Sequence, residues 1–148
     1  MSNQQDVVKE LNQQVANWTV AYTKLHNFHW YVKGPNFFSL HTKFEELYDE
    51  ASQYVDDLAE RILAIGGNPI GTLTESLDKS IVKEAGKNYA AEQMVEELSH
   101  DFTNISKQLE HAIEVAGNAG DDVSEDMFIG MQTSVDNHNW ILQSYLGK

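Results

Sequence analysis

Apolar side chains recur along this chain at alternating steps of three and four. The first set runs through Val8, Leu11, Val15, Trp18, Tyr22, Leu25, His29 and Val32, if His29 is counted among them. This is the spacing of one helical face, and it predicts a helix that ends near Gly34-Pro35. A second set, Leu40, Phe44, Leu47, Ala51, Tyr54, Leu58, Ile62 and Ile65, predicts a helix over roughly 38 to 66, with "GGNP" supplying the glycine stop and trailing proline.

From Gly67 to Asn88 the periodicity breaks into a connection rich in Gly, Ser, Thr and Lys, with a short helix expected near Ile81 to Glu84. Met94, Leu98, Phe102, Ile105, Leu109, Ala112 and Ala116 then mark a third long helix. Phe128, Met131, Val135, His138, Leu142 and Tyr145 mark a fourth. The intervening "GNAGDDVSED" reads as a turn with Ser124 as N-cap. Four amphipathic helices without strand-like alternation predict an all-α four-helix bundle, with the long connection crossing between helices two and three.

Length changes this picture little. A chain of 148 residues with 41% hydrophobic content suits one domain, residues 1–148, burying about two-thirds of its unfolded surface. Charge changes it more: 23 acids against 10 bases give a net charge of -13, which attracts cations and disfavours nucleic acid and anionic membranes. There is no basic and apolar leader and no run of eighteen apolar residues, so a soluble, unexported, cytoplasmic protein is expected. Cysteine is absent, so any metal must be held by His, Asp and Glu.

Three of the six histidines fall in "KLHNFHWYVKGPNFFSLHTKFEELYDE", residues 24–50. His29 takes a seam position on helix one, where a core histidine bonded to a neighbour is the ordinary reading. Its company suggests more. His41 lies just inside helix two with Glu45 one turn on, and Asp56 and Glu60 form another (i, i+4) pair on the stripe beside the apolar seam. Asp49, Glu50 and Asp57 read as a solvated face. His26 reads as a neighbour of the site or an interface residue, His111 as a surface residue and His138 as a packing residue.

Along a continuous helix His41 and Asp56 stand roughly 22 Å apart, so they cannot ligate one ion within one chain. Fifteen residues nevertheless return to within about 60° of the same face. Two copies of helix two packed antiparallel about a twofold axis, crossing near Tyr48 and Asp49, would bring His41 of each chain to Asp56 of the other. The expectation is a metal site shared between subunits, with His29 and His41 from one and Asp56 and Glu60 from its mate. Mixed His and carboxylate donors suit Fe(II), Mn(II) or Zn(II). A site inside one chain would need two Glu-x-x-His motifs, and only Glu97 to His100 is present.

The run "HNFHWYVKGPNFFSLHTKFEELYDEA…VDDLAERILAIGGNP" resembles the signature region of the Dps family, the miniferritins, and the helix layout fits that resemblance over nearly the whole chain. The resemblance implies a ferritin-like fold and a hollow shell of twelve subunits. It implies a ferroxidase centre of two irons at each twofold interface, with His29, His41 and Glu45 from one subunit and Asp56 and Glu60 from the other. There Fe(II) would be oxidised, preferably by hydrogen peroxide or else by dioxygen, and stored as Fe(III) mineral, with Zn(II) as a possible substitute for iron.

Trp30 corresponds to the family tryptophan beside the centre, which can give up an electron; ordinary aromatic packing is the competing reading. Acid-lined threefold pores near the start of the fourth helix make Asp121, Asp122 and Asp126 candidates, although acids at a helix start also serve as caps. The lysine-rich tails of DNA-binding members have no counterpart: the first ten residues hold one Lys against two acids. DNA binding is therefore not expected.

Overall fold

The computed structural model describes residues 3–148, which form five helices and no strand: α1 (Gln4–Tyr31), α2 (Phe37–Ala64), α3 (Leu73–Lys79), α4 (Ala91–Asn118) and α5 (Asp122–Tyr145). Met1 and Ser2, at the start of the lysine-poor first stretch, lie outside the described residues. α1 begins at a capping box in which the Asn3 side chain accepts from the Asp6 N–H, while the Asp6 carboxylate accepts from the Asn3 N–H, both at 3.0 Å. It ends before Gly34, whose φ of 112° turns the chain back along itself. α2 stops at Gly66, with φ 86°. The next glycine sits against α1, where a Cβ on Gly67 would lie 2.8 Å from Val8 Cγ2.

The four long helices pack antiparallel in two pairs, α1 with α2 and α4 with α5. Side-chain bonds from Lys43 to His138 and from Arg61 to Ser124 tie α2 to α5. Lys24 and Gln14 tie α1 to α4. The core is continuous through all four, with Trp18 edge-on to Phe102 and tilted on Tyr54, and with Phe28, Phe44 and Phe128 fully enclosed. Burying each such side chain contributes about 1.5–3 kcal/mol. This is the expected bundle with its long crossover.

The crossover differs from expectation in one respect. Its short helix is α3, at Leu73–Lys79, and not near Ile81 to Glu84. Thr72 decides this, because its hydroxyl accepts from the Glu75 N–H and donates to the Glu75 carboxylate, an N-terminal lock that residues 81–84 lack. Ile81 and Val82 are instead strapped to α1. The Ile81 N–H donates to Asn17 Oδ1 at 3.0 Å, and the Val82 side chain is buried. Asn12 and Gln13 bind the backbone of residues 68, 70 and 79 in the same way. A run of amides on α1 thus satisfies the polar backbone of a segment that has no ladder of its own.

A second correction concerns the start of α5. Its N-cap is Asp121, whose carboxylate accepts from the Ser124 N–H at 2.9 Å and from the Ser124 hydroxyl at 2.7 Å. Ser124 is the third residue of the first turn, not the cap. Asp has the same short reach as Ser and is also ionised, which suits it to the positive helix end.

Candidate metal centre

The last turn of α1 and the first turns of α2 meet at the corner made by Gly34 and Pro35. There the His29 and His41 rings stack with centroids 3.7 Å apart and planes 13° apart. Each ring is held by the backbone of the other residue. His29 Nδ1 lies 2.7 Å from the His41 carbonyl, and His41 Nδ1 lies 2.8 Å from the His29 carbonyl. A carbonyl oxygen only accepts, so both Nδ1 atoms carry hydrogen and both Nε2 atoms of the neutral rings keep a lone pair. This is the tautomer a metal ligand needs, fixed by the same kind of backbone bond that orients metal-ligating histidines generally.

Glu45, one turn beyond His41 and half exposed, places Oε1 3.8 Å from His29 Nε2. That is too long for a hydrogen bond and short enough for one cation to contact both atoms. Tyr48 stands edge-on to His29 at 5.3 Å and stacks on His26 at 3.8 Å, and Phe37 stacks on His41 at 4.8 Å. His26 is oriented by the Tyr22 carbonyl at 3.1 Å. Trp30 is two-thirds exposed and touches this aromatic group only through His26, at 5.1 Å between ring centroids.

Farther along α2, the carboxylates of Asp56, Asp57 and Glu60 come within 4.8 Å of one another, all exposed. Asp57, assigned from the sequence to a solvated face with Asp49 and Glu50, belongs to this group, with one oxygen accepting from Gln53 at 2.8 Å. α2 runs unbroken from Phe37 to Ala64, so the histidine half and the carboxylate half stand roughly 22 Å apart along one axis. Neither half alone offers more than three protein donors of the predicted set.

Other acids are committed elsewhere. Glu50 is part-buried and bonded, not on an open face: its carboxylate accepts from Ser134 at 2.9 Å and from His138 Nε2 at 3.1 Å. Burial acts to raise the Glu50 carboxyl, but the bonds from His138 and Ser134 outweigh it and hold the group below its ordinary value. Asp121, expected beside a pore, is turned inward. Arg61 reaches one oxygen at 2.7 Å and Ser124 bonds both. Burial again acts to raise it, and the Ser124 bonds with the Arg61 guanidinium bring it below the usual aspartate value. Asp122 and Asp126 remain exposed.

The Glu-x-x-His pair of α4 does not assemble into a site. Glu97 is bound by Lys24 at 3.1 Å, and His100 is exposed and paired with Asn104. Lys24 itself was not anticipated. Its side chain is wholly buried between Glu97 and Asp101, and burial raises the Asp101 carboxyl despite the neighbouring ammonium. The signal was available in the (i, i+4) acids of "EELSHD" opposite a lysine on the stripe of Val20 and Phe28.

Comparison with known proteins places the chain in a family. The ferritin-like domain family model matches residues 8–148. General stress protein 20U of Bacillus subtilis is 51% identical over 143 residues, covering 97% of this chain and 99% of that protein. The crystal structure of Dps from Staphylococcus aureus is 87% identical and superposes with a TM-score of 0.98 over 99% of this chain and 98% of that one. Dps from Listeria innocua, in crystals soaked with zinc, is 41% identical with a TM-score of 0.92 over 96% and 97% of the two chains. Likeness of that extent, along both the sequence and the backbone, means that the chain belongs to the Dps family of ferritin-like proteins.

Proposed function

We propose that this protein is a ferroxidase of the miniferritin type, which oxidises Fe(II) and stores it as ferric mineral inside a hollow shell of twelve single-domain subunits in the cytoplasm. The observation that carries the reading is the His29–His41 pair, with both Nε2 atoms free and Glu45 beside them. A helix packed antiparallel about a twofold axis would bring the Asp56 and Glu60 carboxylates of a second copy to that pair. Five donors of this mixed kind suit two ferrous ions as substrate. Hydrogen peroxide is the preferred oxidant in this reading: one molecule takes one electron from each of two ferrous ions and, with two protons, leaves as two waters. The three carboxylates, Glu45 with Asp56 and Glu60 of the second copy, offset the charge gained by the irons, and the Nδ1–carbonyl bonds keep the imidazoles in the ligating tautomer throughout.

Asp122 and Asp126, exposed at the start of α5, are the acids we assign to an entry pore for ferrous ions, with Asp121 as the cap that holds that turn. Trp30 is placed as an electron donor reached through His26. A chain carrying -13, repeated twelve times, repels the DNA backbone, and no retention of DNA at physiological salt is expected. None of the helices among the described residues is long and apolar enough to cross a membrane.

Anaerobic addition of Fe(II) to the apoprotein, followed by one peroxide pulse, tests the reading when ferric absorbance is recorded beside particle mass. Fast oxidation by a twelve-subunit particle is expected. An assembled particle that oxidises iron no faster than buffer would overturn it. Zinc, soaked into crystals of the Listeria innocua relative, suits the same donors and is expected to inhibit in competition with iron.

A further inference from the structure

We propose that the cleft between the end of α1 and the segment leading into α4 binds a free nucleotide-class ligand, a small phosphate-bearing anion with a flat ring. The cleft has a volume of about 550 Å³ and is lined by Asn27, Tyr31, Lys33, Lys87, Asn88 and Tyr89, together with the buried Met94. That is the size of an ordinary small-molecule site, about 300–1,000 Å³. The assignment does not depend on the metal centre.

Charge is the first argument. The chain has 10 cationic residues against 23 acids, yet two of the lysines line this one cleft with no acid among the lining residues. Neither Lys33 nor Lys87 makes an ion pair among the described residues; the Lys and Arg side chains that do are Lys24, Lys43 and Arg61. The cleft thus gathers two unpaired cations with no lining acid on an otherwise acidic chain, and an anion is the ligand that suits such a place. Ala90, the N-cap of α4, also lines it and offers no side-chain acceptor, so the partial positive charge of that helix end adds to the two ammoniums.

The walls supply the second argument. Tyr89 packs against Phe28 at 5.9 Å between ring centroids, which fixes one aromatic wall. Gly86 lets it sit there, because a Cβ at that position would lie 2.6 Å from the Tyr89 hydroxyl. Tyr31 is nearly two-thirds exposed and forms a second aromatic surface. The Asn27 and Asn88 carboxamides make no side-chain hydrogen bond among the described residues. Each offers donors and an acceptor, the complement of a base edge. Two ammoniums for a phosphate, two phenol rings for stacking and two free carboxamides match the three parts of a nucleoside monophosphate.

The test is calorimetric titration of the intact assembled protein, free of metal, with AMP, inorganic phosphate and adenosine as separate probes. Saturable AMP binding, tighter than either fragment, is expected. Each of Lys33→Gln and Lys87→Gln should weaken it about tenfold while particle mass and Fe(II) oxidation stay unchanged. Tyr31→Ala should weaken AMP but not phosphate, which keeps the ring contact testable by a second variant. Absence of saturation, equal affinity in the double lysine variant, or phosphate binding as tightly as AMP would overturn the proposal. So would displacement of AMP by a short single-stranded oligonucleotide at equal phosphate concentration, since the site would then be reading a strand and not a free nucleotide.

Discussion

Lys24 Nζ lies 2.7 Å from Asp101 Oδ2, and the lysine side chain has no exposure to water. Removing one partner strands a buried charge, so Lys24→Met should destabilise the fold by about 3–5 kcal/mol. The double change Lys24→Met with Asp101→Leu should recover most of that loss, because two apolar groups then replace the pair. Chemical denaturation of the three proteins checks this, and a double variant as unstable as the single one would show that the ion pair itself, not its balance, holds α1 to α4.

Sharing of the proposed site between subunits predicts complementation. A protein with both His29→Gln and His41→Gln should be slow at Fe(II) oxidation, as should one with Asp56→Asn and Glu60→Gln, with both still assembled. Reassembled together in equal amounts, they should regain about a quarter of the sites, since random pairing puts an intact histidine half opposite an intact carboxylate half that often. Stopped-flow oxidation rates of the mixed shells give the answer, and no recovery would place the site within one chain.

Asp121 links stability to pH. Its folded pKa lies below the ordinary 3.8, so the stabilisation is fully present above that value and is lost as pH falls through the lower folded pKa. Asp121→Asn should therefore lower the Tm near neutral pH, and the gap from the parent should close in acid. Thermal melts across the acidic range measure it. A gap that is constant with pH would mean that the charge is irrelevant and only the cap geometry counts.

Gly67 is constrained from both sides, by Val8 at 2.8 Å and Ile62 at 3.0 Å from a would-be Cβ. Gly67→Ala should cost about 1–3 kcal/mol through overpacking of two branched side chains. Gly71→Ala, where a Cβ would meet nothing within 4 Å, is the control and should leave the melting temperature close to that of the parent.

The long helices were legible because each buries one broad apolar stripe, and such a stripe leaves its period in the residues. α1 was read less well, since it packs against three other helices and carries a second stripe, through Asn17, Val20, Lys24 and Phe28, that a single-face reading passes over. α3 was misplaced because its short span has no core stripe to reveal it, only the Thr72–Glu75 cap. Glu50 looked solvated for a different reason: its partners, Ser134 and His138, are more than eighty residues away. The histidines, Glu45 and the Asp56–Glu60 pair were visible from spacing, but in the proposed shared site each half is completed by a second copy, a contact that leaves no period in one chain.

The two histidines clasp each other's peptide groups and not each other's side chains, which makes the corner between α1 and α2 a cooperative latch. Fraying the last turn of α1 moves the His29 carbonyl and so frees the His41 ring, while the carbonyl that held His29 is left without its donor. Both nitrogen donors are therefore lost in one local opening. Whatever binds them opposes that opening, so cation binding should slow amide hydrogen exchange at the helix ends flanking Gly34 before it changes exchange anywhere else in the bundle.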